Sequence, residues 1–377
     1  MKEKRTYFPG LNALRFLAAF MVIFHHLEQY KFWAKKESFW GSPIIDALGH
    51  KPVSLFFVLS GFLITHLLLE EQRDNNSIDV RKFYLKRVFR IWPLYFCIVL
   101  LALFVMPLFK GVVFSELPNF DLTTVAIPLL LIVPNLLRVS FPSLVGANQL
   151  WSVGIEEQFY LIWPLLIRRF KNNIISFLLI FIFLKIAIHA LLINGTTLSS
   201  AIWLVKIEIL YRLFPVEQMA IGALGASMLF YRKRRALRFM GSSVTAVFAL
   251  LLVIFSSLFH IESFLNPLFE GLLFVVIIYQ VTTNGRVSKV LENRVLNYLG
   301  SISYGIYMWH TIAIAVSMTF MELTGWNSSA AIVGLSISLT LILSHVSYKY
   351  LEKPAQKLRH QLDNNSISAI SPKSYNA

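Results

Sequence analysis

Long apolar runs dominate this chain and set the first constraint on its fold. A helix needs about 20 mostly apolar residues to cross a bilayer. Eleven stretches approach that length: residues 8–28, 52–69, 91–109, 121–137, 150–167, 174–193, 209–230, 241–260, 264–283, 301–321 and 329–350. Hydrocarbon offers the backbone no hydrogen-bond partners, so such runs fold as helices. Composition agrees: of 377 residues, 56% are hydrophobic and 15% charged, with a mean hydropathy of +0.63. A soluble chain of this size could not bury so much apolar surface, which excludes a disordered, fibrous or ordinary cytosolic protein. The expected fold is an all-α polytopic membrane protein.

A net charge of +15 would suggest a nucleic-acid partner in a soluble protein. Here the basic residues gather between apolar runs, at 2–5, 81–90, 168–171, 232–238, 286–294 and 349–359. Cytoplasmic membrane loops carry that pattern, and no nucleic-acid partner is expected. Placing all six clusters inside demands an odd number of crossings between residues 120 and 168, where two candidates lie. The shorter, 121–137, holds Pro128 and Pro134 and is read as a candidate re-entrant or broken element. About ten transmembrane helices remain, with N- and C-termini cytoplasmic. Residues 1–355 form one transmembrane domain and 356–377 a polar tail. The basic N-terminus running into a long span reads as a retained first helix. The single cysteine, Cys97, excludes an intramolecular disulfide.

Ionisable groups within spans are costly, and each is a functional candidate. In the first run Arg15 and His26 stand eleven residues apart, about 20° past three full helical turns and about 16 Å along the axis. They share one face, while His25 points about a quarter turn away. Snorkelling of Arg15 to the interface and capping by His26 are the alternatives. Adjacent histidines on a helix diverge, so no metal is expected. Arg87 and Arg90, at i and i+3, neighbour each other and suit either phosphate groups or anchoring at the membrane surface. Glu156 and Glu157 open an apolar run, as partners for His26 or an arginine or as helix caps. Tyr307 and His310 stand mid-span, where a lone histidine is also compatible with a satisfied core position. Arg212 and Glu217 read as an internal ion pair, and the small residues of LFFVLSGF, from Leu55 to Phe62, as helix packing. The longest outer loop, 29–51, holds Trp33, Phe39 and Trp40, which suit an interfacial belt or a sugar ring.

Taken in order, these segments resemble the acyltransferase 3 family over about residues 8–355. The matching stretches are Arg15 through His26, FFVLSGFLIT from Phe56 to Thr65, Arg87-Val88-Phe89-Arg90-Ile91-Trp92-Pro93, WSVGIEEQFYLIWP from Trp151, SYGIYMWH ending at His310, and Tyr350-Leu351-Glu352-Lys353-Pro354. The departures are mild: Lys86 stands where a third arginine is often found, and Met308 where leucine is usual. Some members carry an extra soluble hydrolase-like domain, and at this length none is expected here.

The resemblance implies transfer of an acetyl or other short acyl group from acyl-CoA to a hydroxyl of a cell-surface or lipid-linked carbohydrate. It assigns the family's arginine–histidine pair to Arg15 and His26 and its Arg-x-x-Arg pair to Arg87 and Arg90. The expected roles follow. His26 is the general base or, on a second route, the acylated nucleophile. Arg15 serves the reaction centre or the CoA, Arg87 and Arg90 hold the CoA phosphates, and Glu156 orients His26 or binds the acceptor. Glu157, Tyr307, His310 and Trp151 line the acceptor passage. The donor is acetyl-CoA or another acyl-CoA, with no metal. The partners are membrane lipid, a carbohydrate acceptor and, as an allowed state, a homodimer. The setting is a bacterial inner membrane. A multi-pass transporter or flippase for a glycan is the rival reading.

Overall fold

The structure, a computed structural model, describes residues 6–114, 121–139, 144–198, 201–259, 263–326, 328–359 and 361. Basic cluster 2–5 and most of the expected tail lie outside these. The helices are α1 (Leu11–Trp33), α2 (Pro43–Asn75), α3 (Val80–Leu100), α4 (Met106–Val113), α5 (Leu122–Leu130), α6 (Leu150–Phe170), α7 (Ile174–Leu198) and α8 (Ile202–Arg212). They continue as α9 (Val216–Phe230), α10 (Arg234–Gly241), α11 (Ser243–Leu258), α12 (Asn266–Thr283), α13 (Gly285–Leu291), α14 (Arg294–Ser301), α15 (Ser303–Thr324) and α16 (Ser329–Ser347).

Among the described residues, eight helical stretches are long and apolar enough to cross a membrane. A ninth is added if α10 and α11, bent by 64°, form one span. With that pair counted, the one expected span outside the set is α6. It is 21 residues long, but Glu156, Glu157 and Gln158 make it too polar for that count. Residues 121–137 do not form a span. Helix α5 covers nine residues, about 13 Å, which is less than half the hydrocarbon thickness. The chain then turns at Ile132, with φ +59°, into a short 3₁₀ segment, Pro134–Val139, that packs on α6.

Close helix approach sets the centre of the bundle. A Cβ on Gly61 would stand 1.9 Å from the Met219 carbonyl oxygen, and one on Gly222 would stand 2.1 Å from that of Val58. Both obstacles are backbone, so α2 and α9 cross at a separation only glycine permits. This is the packing role expected of the FFVLSGF segment. Gly222→Val is therefore expected to destabilise the protein by about 3 kcal/mol, read as a lower melting temperature in detergent. An unchanged melting temperature would contradict the close crossing.

The start of α1 is held by a residue distant in sequence, in the connection between α13 and α14. Gly10, at φ +77°, precedes it, and the Gly10 N–H donates to Glu292 Oε2 at 2.7 Å. Glu292 also accepts from the Tyr7 hydroxyl and Asn297. Burial and the Glu292 hydrogen bond push the Tyr7 hydroxyl up to about 12. This anchor sets the register of α1, and hence the heights of Arg15 and His26. Other contacts join segments near this end. Tyr231 donates to the Lys171 carbonyl at 2.9 Å, Gln280 to that of Met240 at 2.8 Å, and Arg73 lies 5.4 Å from the Phe230 ring centroid. The basic segments 168–171, 232–238 and 286–294 thus lie toward the end of the bundle where α1 begins.

Three sequence expectations change. Arg212 neighbours Glu208 at 3.7 Å, one turn away on its own helix, while Glu217 faces Lys185 at 3.8 Å. An Arg212–Glu217 pair does not form, because the break between α8 and α9 separates the two. Lys51 lies inside α2 rather than in a loop. It is buried, with Nζ 3.0 Å from Glu270 Oε1 and 2.9 Å from Ser256 Oγ. The loop 29–51 shrinks to a short connection, since α1 runs to Trp33 and α2 starts at Pro43.

Candidate active site

Several polar residues within the helices line two cavities. The first, about 100 Å³, takes Arg15 from α1, Ser60 from α2, Arg87 and Arg90 from α3, and Glu156 and Tyr160 from α6. Asp79 caps α3 by accepting the Lys82 N–H at 2.9 Å, and the pair Arg87 and Arg90 follows two turns later. Arg87 lies over the rings of Phe83 and Tyr160, 5.5 and 5.3 Å from their centroids. Its Nε is buried without a hydrogen-bond partner. Stacking fixes the plane of this guanidinium while leaving donor capacity unused, an arrangement suited to an anionic ligand. Arg90 is exposed at the mouth.

Glu156 belongs to this arginine cavity. Its Oε1 accepts from Ser60 Oγ at 2.8 Å and its Oε2 from the Tyr160 hydroxyl at 3.1 Å. The structure does not bring it to His26. Glu157, next on α6, points toward α3 and accepts the Trp92 Nε1–H at 2.7 Å. Its other oxygen is buried without a partner, and Glu157 lines neither cavity.

The second cavity, about 450 Å³, is lined by His25, His26 and Gln29 from α1, with Trp40, Asp46, Asn148 and Trp151 around them. His25 donates through Nδ1 to the Ile45 carbonyl at 2.8 Å, and its ring fills the space a side chain at Gly49 would need. Trp40 packs 5.0 Å from the His25 ring. Among the described residues no group of three or more His, Cys, Asp or Glu is arranged to hold a metal ion.

His310 comes up behind His26, and together their hydrogen bonds fix both tautomers. His310 Nδ1 lies 2.7 Å from the Tyr307 carbonyl oxygen. A carbonyl only accepts, so this nitrogen carries the proton, and neutral His310 accepts at Nε2. That Nε2 lies 3.1 Å from His26 Nδ1, which is also 3.1 Å from the Val22 carbonyl oxygen. His26 Nδ1 faces two acceptors and carries its proton there. The basic lone pair of His26 is thereby placed on Nε2, as a positioned general base requires.

Tyr307 lines both cavities. Its hydroxyl lies 2.7 Å from Ser152 Oγ and donates to the Gln149 carbonyl at 3.3 Å. Gln149 is fully buried. Its amide donates to the Met308 carbonyl at 2.7 Å and accepts from Thr311 Oγ1 at 2.8 Å, which ties the start of α6 to α15. Of the residues singled out in the sequence, Arg15, Arg87, Arg90 and Glu156 thus meet in one cavity. His26 and Trp151 meet in the other, Tyr307 stands in both, and His310 supports His26. Sequence reasoning read Ser60 as packing, quoted Ser152 and Tyr160 within the WSVGIEEQFYLIWP segment without giving them a role, and did not single out Gln149. For Gln149 the available signal was a polar residue at the threshold of a span.

Comparison with known proteins follows this geometry. The acyltransferase domain family matches residues 8–349. The peptidoglycan O-acetyltransferase OatA of Listeria monocytogenes is 28% identical over 94% of this chain and 57% of its own length. The putative peptidoglycan O-acetyltransferase YrhL of Bacillus subtilis is 25% identical over 93% and 55%. A putative O-acetyltransferase of Staphylococcus aureus is 25% identical over 94% and 58%. The chain spans a little over half the length of these curated relatives. No solved structure matches it. Since the family match runs from just before α1 to the turn beyond α16, and so takes in both cavities, this chain belongs to the acyltransferase 3 family.

Proposed function

We propose that the protein is a bacterial inner-membrane O-acetyltransferase. It moves an acetyl group from cytoplasmic acetyl-CoA to a sugar hydroxyl of the cell wall, peptidoglycan being the first acceptor to test. The observation that carries this reading is the hydrogen-bonded His310–His26 pair, which sets the tautomer of a histidine lining a cavity next to one lined by three arginines. The gathering of basic segments at the start of α1 favours that end as cytoplasmic. Under that orientation Arg15, Arg87 and Arg90 receive the CoA phosphates from inside. Trp40 and Trp151 offer aromatic faces to the acceptor, and Gln29, Asp46 and Asn148 offer hydrogen-bonding groups, toward the other side. His26 Nε2 takes the hydroxyl proton as the sugar oxygen attacks the thioester carbon. The carbon–sulfur bond breaks, and the imidazolium returns its proton to the leaving thiolate. The products are the O-acetyl ester and free CoA, and CoA itself need not cross the membrane. A glycan transporter without acyl transfer would have no use for a fixed imidazole tautomer.

Purified protein incubated with radiolabelled acetyl-CoA and a soluble peptidoglycan fragment tests this reading. Alkali-labile label on the sugar is the expected result, and no ester on any carbohydrate acceptor would overturn it. Arg87→Ala is expected to raise KM for acetyl-CoA by about tenfold, through loss of one charge-assisted phosphate contact, with little effect on KM for the acceptor. An equal rise in both would move Arg87 out of the donor site.

A further inference from the structure

The boundary between the two cavities is narrow and built from few groups. Among the described residues Tyr307 alone lines both. On α2 the boundary falls between Val53, in the histidine cavity, and Phe56, in the arginine cavity. On α6 it falls between Trp151 and Ser152. The Tyr307 phenol fills this gap. It is buried, its ring stands edge-on to Phe56 at 5.7 Å, and its hydroxyl is held at Ser152 and Gln149. The same residue's carbonyl oxygen orients His310, and through it His26.

If CoA is held by the arginines and the base is His26, the thioester must reach across this gap for the two to meet. We propose that Tyr307 is the residue that sets acyl length: its ring closes the port between the donor and acceptor cavities, so an acetyl group passes and longer acyl chains do not. This rests on the acyl-transfer reading above. The reason is steric. The side chains around the port are packed, and admitting an acyl group requires the phenol to shift away from Ser152. Each further methylene of the acyl group must displace more of the ring or its neighbour Phe56. Closely packed surroundings resist that volume, and one methylene is commonly worth tenfold or more in discrimination. The phosphates bind on the near side of the port, so recognition of the CoA moiety is independent of acyl length.

The experiment compares acetyl-CoA with butyryl-CoA. The wild-type protein is expected to transfer acetyl well and butyryl at least about tenfold more slowly in kcat/KM, while butyryl-CoA inhibits acetyl transfer competitively with a Ki near the acetyl-CoA KM. Tyr307→Ala joins the cavities and is expected to bring the butyryl to acetyl ratio of kcat/KM up by about tenfold. Tyr307→Phe keeps the ring and the wild-type ratio. Tyr307→Leu, a milder truncation, is expected to shift the ratio in the same direction as alanine and serves if the alanine variant does not fold. Equal use of both donors by the wild type overturns the proposal without any variant. So does an unchanged ratio in a truncated variant that still transfers acetyl. Absence of acetyl transfer in the wild type would instead overturn the acyl-transfer reading on which the proposal stands.

Discussion

His26→Ala is expected to lower acetyl transfer by about 10³-fold, the range lost when a positioned general base is removed, with acetyl-CoA affinity unchanged. The split between rate and binding follows from the two cavities. His26 lines the chamber with Trp40 and Trp151, whereas the arginines line the other. His310→Phe should cost less, about 10- to 100-fold, the range lost when the group that orients a metal-ligating histidine is removed. It removes one of the two acceptors at His26 Nδ1 and leaves the Val22 carbonyl, so the ring is held less firmly. Single-turnover rates and acetyl-CoA titrations of the purified variants check both expectations. If His26→Ala retained wild-type turnover, the base would have to be another group.

Glu270→Ala is expected to be the most destabilising simple substitution, at about 3–5 kcal/mol. It would leave the Lys51 ammonium, only 7% exposed, with Ser256 Oγ as the hydrogen-bond partner left at 2.9 Å. Removing one partner of a buried pair strands the other charge, whereas replacing both with apolar groups of similar volume is commonly neutral. The double variant Lys51→Met with Glu270→Leu should therefore recover most of the lost melting temperature in detergent. A single variant that melts like the wild type would show that Lys51 reaches water on its own. His50, 3.7 Å from Glu270 Oε1 and exposed, is available as a second partner for the carboxylate but cannot neutralise the lysine.

Some of the site was legible because it depends on one helix at a time. Arg15 and His26 share a face of α1 by spacing alone, and Arg87 and Arg90 neighbour each other by the same rule. The family resemblance rested on short segments of this kind, and it held along residues 8–349. What spacing could not show is which helix faces which. Arg15 and His26 share a face of α1, yet they line different cavities, with Tyr307 of α15 in the lining of both. Glu156 was expected near His26, yet it turns to Ser60 of α2 and Tyr160 of its own helix. The partner His26 did acquire, His310, lies 284 residues away along the chain.

Hydropathy and helical periodicity are local quantities, so the amino-acid sequence by itself determined that this chain is a bundle of membrane helices, which residues within them are anomalously polar, and on which helix faces they stand. The pairing of those faces depends on helices crossing at backbone distance, as α2 and α9 do at Gly61 and Gly222, and on hydrogen bonds between α1, α6 and α15. Such contacts join residues more than a hundred positions apart. Only the tertiary structure could therefore decide that the arginines and the histidine occupy separate chambers, with one tyrosine between them.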